Sequence, residues 1–134
     1  MKALYKIAVC LLALSMCLSL KAQNDGNDMF VPIAKYLSSG SVESLSAWFA
    51  DNLEIYVVSS LTNSSKSQAK QILKSFFETY TPRKFEISHI AGRPNMKYAL
   101  GTLNAGGETF NVTMFVSVRG GDCKIQQLKI ERVQ

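Results

Sequence analysis

The chain has 134 residues, with 15 lysines and arginines against 10 aspartates and glutamates, and a formal net charge of +5. Lys2, Lys6 and Lys21 all precede a small-residue boundary at Ala22, so residues 23–134 carry only +2. That is the length of one domain, and too weak a charge for a nucleic-acid partner, which needs a concentrated basic face. The same boundary removes Cys10 and Cys17 and leaves Cys123, which excludes an intramolecular disulfide and a thiolate metal cluster. No metal or cofactor is expected.

In chain order, Lys2 and Lys6 open an apolar run, Ile7 to Leu20, that ends at Lys21-Ala22-Gln23. This is the pattern of a cleaved secretory signal peptide over residues 1–22, too short for a stable span. The expected location is periplasmic or secreted. Leu14-Ser15-Met16-Cys17 resembles a lipobox, with Met16 where a small residue is usual. Acylation at Cys17 would tether the domain to a membrane, and membrane contact is expected only in that case.

Gln23 to Asp28 is a polar leader in which Asp25 or Asn27 can cap the next helix. Phe30, Ile33, Ala34 and Leu37 recur at helical spacing, with Pro32 in the first turn. Ser38-Ser39-Gly40 stops that helix. A short second one is predicted from Ser41, with Val42, Leu45, Trp48 and Phe49 on one face. Trp48 on such a stripe is more a core anchor than a stacking platform. Asp51 falls in the connecting loop.

Leu53 to Ser59 alternates as a strand, and polar Ser59 to Ser64 is expected to be a loop. Ser65 and Gln68 form a capping box. Ala69, Ile72, Leu73, Phe76, Phe77 and Tyr80 then keep one apolar face over a long helix that Pro82 ends. Lys66, Lys70 and Lys74 fall on its solvated face.

Four strands follow. Lys84–Ala91 puts Phe85, Ile87 and His89 on one side. Lys97–Leu103 carries Tyr98 and Leu100. Thr109–Val118 alternates Phe110, Val112, Met114, Val116 and Val118 with polar residues. Cys123–Val133 breaks its alternation, and one extra residue at Gln126-Gln127 would return Ile125 and Leu128 to a common face, as a β-bulge does. Gly106-Gly107 and Gly120-Gly121 are the hairpin turns.

This element order resembles the nuclear transport factor 2-like superfamily, the α+β cone also used by ketosteroid isomerase and scytalone dehydratase. Three stretches are similar to a narrower family of small secreted bacterial domains of unknown function. These are Ser65-Lys66-Ser67-Gln68-Ala69 through Ile72-Leu73-Lys74-Ser75-Phe76-Phe77, then Lys97-Tyr98-Ala99-Leu100-Gly101-Thr102-Leu103, then Ile125-Gln126-Gln127-Leu128-Lys129-Ile130. The resemblance implies N-terminal helices and a long helix packed on a curved, mostly antiparallel sheet. It also implies a pocket inside the cone, where related enzymes place acid–base residues.

The pocket candidates are Trp48, Tyr56, His89, Tyr98 and Met114. Glu54, Glu86 and Glu108 alternate with apolar residues and should face solvent, so no carboxylate is placed to serve as a base of raised pKa. His89, sharing a face with Phe85 and Ile87, is expected to be a buried imidazole that satisfies hydrogen bonds. A dyad of Cys123 with His89 lacks the setting that lowers a thiol pKa. Two function classes stay open. One is a non-catalytic binding or interaction module, taking a small apolar ligand, a protein partner or a second copy through the sheet at Tyr56, Val58, Phe115 and Arg119. The other is a small lyase or isomerase using His89 with Tyr56 or Tyr98.

Overall fold

A computed structural model describes residues 27–133. The signal-peptide segment, Cys17 and Asp25 lie outside these residues. Among the described residues no helix is long and apolar enough to cross a membrane.

Helix α1 spans Phe30–Ser39 and buries Phe30, Ile33 and Leu37. Its start is held by backbone turns, Phe30 N–H to Asn27 O and Val31 N–H to Asp28 O. The expected side-chain cap by Asn27 is not made. Gly40 ends the helix in the left-handed region at φ 70°, donating to Tyr36 O, where a side chain would be strained. Ser38 does more than stop the helix. Its hydroxyl accepts from Phe85 N–H at 3.0 Å and tethers α1 to a strand 47 residues away.

Helix α2 is only Val42–Ser46. Phe49, expected on it, instead begins strand β1, Phe49–Val57, and is fully buried there. Asp51 therefore lies in a strand, not a loop. The polar segment after Ser59 is also a strand, β2, Ser60–Ser65. It pairs antiparallel with β1 from Asn52–Ser65 to Val57–Ser60. The turn between them puts Val58 at φ 65°, with Ser59 N–H bonded to Val57 O. Positive φ is costly for a β-branched residue, and Val58 is held there by its own N–H to Ile130 O at 2.8 Å.

Helix α3, Lys66–Thr79, has the predicted capping box, with both Ser65–Gln68 bonds at 3.2 Å. Ala69, Leu73, Phe76 and Phe77 are buried. On the far face Lys70 and Lys74 reach Glu43 of α2 at 2.5 and 3.8 Å. Strands β3 (Pro82–Arg93), β4 (Met96–Ala105), β5 (Glu108–Arg119) and β6 (Asp122–Arg132) form the meander. Its last two hairpins turn on glycine pairs at positive φ, as two-residue turns of that hand require.

The sheet order is β2-β1-β6-β5-β4-β3, and β1 runs parallel to β6 while the other pairs are antiparallel. The helices cover one face. Beneath them Phe49, Leu103, Phe110, Met114, Ile125 and Leu128 are fully buried against Phe30, Leu37, Leu45 and Leu73. The predicted bulge is present. Pairing moves from Phe115–Gln127 to Val116–Ile125, so Gln126 is the extra residue and Ile125 and Leu128 share the core face.

Candidate functional site

The candidate residues do not converge. Met114 is fully buried as core filling. Trp48 sits in the turn after α2, half-buried against the core, and its carbonyl accepts from Ile125 N–H at 2.6 Å. Tyr56 lies on the sheet's outer face, with the Lys129 ammonium 5.5 Å from its ring.

His89 is a correction. Register shifts between Ile87–Gly101 and His89–Leu100, so Ser88 is an extra residue of β3. That bulge turns His89 outward, where it is exposed, and brings Ile90 onto the core side with Ile87. The expected buried imidazole is therefore absent. Tyr98 is likewise outward, because Ala99, Gly101, Leu103 and Ala105 are the buried residues of β4. The signal for the His89 flip was present: Ile87 and Ile90 stand three apart within a strand, as Ile125 and Leu128 do.

Two of the five candidates do meet, on the outer face. His89 and Tyr98 ring centroids lie 6.0 Å apart, and Tyr98 and Phe115 lie 5.7 Å apart. The row continues across the sheet through cross-strand partners Phe115–Gln127 and Gln127–Glu54. Gln127 donates to the Glu54 carboxylate at 2.8 Å. Leu100 and Met96 beside it are 37% and 40% exposed, so this face is more apolar than a solvated sheet surface needs to be.

The carboxylates stay outside the core. Glu54 and Glu86 are exposed, and Glu108 reaches Arg132 at 3.6 Å. The Lys70 ammonium, bonded to Glu43, holds that carboxyl below its ordinary range. Burial, with Asp122 beside it, pushes the Cys123 thiol up, away from the thiolate a nucleophile needs. Among the described residues no three metal-ligating side chains gather. Hollows of about 430 and 450 Å³ flank Gln126, the first lined by Asn52, Glu54, Asn63 and Gln127, the second by Asp51, Ser117, Arg119, Asp122 and Lys124.

A family model described as a domain of unknown function, DUF4783, matches residues 30–131. No curated protein matches. A DUF4783 family protein from Bacteroides uniformis is similar in structure, with a TM-score of 0.73 at 18% identity over 77% of this chain and 95% of that one. A protein of unknown function with a cystatin-like fold from Nostoc punctiforme gives a TM-score of 0.62 at 17% identity, covering 79% of this chain and 86% of its own. A protein named Rd1NTF2_04 with long sheet gives 0.63 at 18% identity over 78% and 97%. At these identities the likeness establishes the fold, the nuclear transport factor 2-like cone.

Proposed function

This chain belongs to the DUF4783 family of domains of unknown function, and we propose that it is a non-catalytic interaction module that binds a second copy of itself through the outer face of its sheet. The observation that carries this reading is the row His89–Tyr98–Phe115 with exposed Leu100 and Met96. Aromatic and Met side chains of this kind are enriched at the centres of interfaces. The area is sufficient. Strands about ten residues long, spaced about 4.8 Å, make a six-stranded face of roughly 800 Å², about what each partner of a standard interface buries. Two charge pairs on this face are internally matched, Lys84 with Glu86 at 2.9 Å and Lys129 with Glu131 at 3.1 Å, so these four residues set no field of one sign between two copies.

The lyase or isomerase alternative needs a positioned base in a site that excludes water. His89 is exposed and has Tyr98 beside it, which weighs against that role. Sedimentation or light scattering at micromolar concentration tests the proposal. The expected result is a dimer mass, with Tyr98→Glu and Leu100→Asp reduced to monomer at unchanged circular dichroism. A monomeric native chain across that range overturns it. We also propose export with cleavage after Ala22, supported by the apolar run Ile7–Leu20. Mass spectrometry finding Gln23 as the first residue supports this; a retained Met1 in exported protein, or an acylated Cys17, refutes it.

A further inference from the structure

Two breaks in the sheet meet at Gln126. It is the extra residue of β6 against β5. On its other side β1 leaves β6 between the pairs Phe49–Ile125 and Glu54–Gln127, so four residues of β1 stand against one of β6. The strands part there, and backbone groups along the opening lose their regular ladder partners. A bulge of this kind also re-aims its side chain. Gln126 turns its amide to donate to the Ser117 hydroxyl at 2.9 Å, and Ser117 is only 7% exposed. The hollow of about 450 Å³ lies over this opening, with Ser117 and Gln126 among its lining residues.

The charges around it are unevenly used. Lys124 comes within 4.0 Å of Asp122 and donates to Ala47 O at 3.5 Å. Arg119 and Asp51 line the same hollow, and among the described residues neither makes an ion pair. A cation and an anion that share a hollow without bridging it leave a gap between them. We propose that this gap binds a small zwitterion, the carboxylate and ammonium of an α-amino acid or the two ends of a short peptide. Arg119 takes the carboxylate, because a guanidinium fork matches its two oxygens. Asp51 takes the ammonium, and the Ser117–Gln126 pair supplies a polar surface between. The site lies on the same outer face as the Tyr98–Phe115 row but uses different residues, those at the β1–β6 opening.

Titration of isotope-labelled protein with L-alanine, dialanine, N-acetylalanine and alanine amide, followed by amide NMR, tests it. Saturable shifts at Ser117, Arg119 and Gln126 are expected with alanine or dialanine at millimolar concentration. The two blocked analogues, each lacking one charge, should shift them far less. Stronger binding of alanine identifies a free amino acid, and stronger binding of dialanine a peptide. Arg119→Gln and Asp51→Asn should each weaken binding by roughly tenfold, as loss of one charge-assisted contact does, with the melting temperature unchanged. No saturable shift with either zwitterion, equal shifts with the blocked analogues, or full affinity in both variants overturns the proposal.

Discussion

Gly101 is a position where one methyl group should be felt across two strands. It lies on the buried side of β4, and a Cβ there would stand 2.6 Å from the Glu86 carbonyl oxygen and 2.6 and 2.7 Å from two ring atoms of Phe85. Contact between such atoms is comfortable at about 3.5–4.0 Å, so Gly101→Ala is short of room by nearly 1 Å. The carbonyl is backbone and cannot swing away. The Phe85 ring is 6% exposed, and its own backbone is held by Ser38, so β3 is not free to slide outward. Overpacking of this kind costs about 1–3 kcal/mol, and the rigid neighbours place Gly101→Ala toward the upper end, about 2–3 kcal/mol. Urea unfolding followed by the fluorescence of Trp48, the chain's one tryptophan, should show a lower midpoint with an unchanged slope. Phe85→Leu trims the ring and should recover part of the loss in the Gly101→Ala background, a coupling of about 0.5–3 kcal/mol. A loss under about 0.5 kcal/mol, or strict additivity of the two substitutions, would refute the reasoning.

Truncating Phe76 to Ala should cost about 3–5 kcal/mol, because its ring packs within 5.1 Å of Phe110 and 5.2 Å of Tyr80; Phe77→Ala belongs in the same range, and chemical denaturation that finds both under about 1 kcal/mol would mean their burial is misjudged. Glu43 gives a pH test: its carboxyl is held below the ordinary 4.5 by Lys70, so its contribution is present above that value and is lost as pH falls through the lower folded value. The stability gap between native protein and Glu43→Gln should close on acidification and shrink with added salt; a gap that widens in acid contradicts the assignment.

How far the sequence could be followed depended on whether each rule had a competitor. The capping box at Ser65 and Gln68 and the apolar stripe of α3 had none, and both are present as read. The bulge at Gln126 was legible because Ile125 and Leu128 had to share a face. Strand β2 was not, because Ser60–Ser65 is almost wholly polar and becomes a strand through its ladder with β1. His89 misled because Phe85, Ile87 and His89 alternate without a visible fault. The extra residue at Ser88 shows only in Ile90. Tyr98 misled in another way. The helix-facing side of β4 is built from small Ala99, Gly101 and Ala105, with Leu103, so its larger apolar residues are on the outside. The site residues followed the strands that carry them, and a single bulge was enough to move His89 across the sheet.

The parallel pairing of β1 with β6 has a kinetic consequence. The β3–β6 meander closes through neighbouring hairpins, each joining residues close in the chain. By contrast, Phe49 meets Ile125 and Val57 meets Ile130, contacts of long sequence separation that slow folding as contact order rises. The N-terminal hairpin joins the meander only through β6. The chain's last eleven strand residues, Asp122–Arg132, thus act as the latch that joins its two halves. A nascent chain that has emerged only up to Gly121 can pair β3 to β5 with one another and β1 with β2, but it holds nothing that joins the two sets.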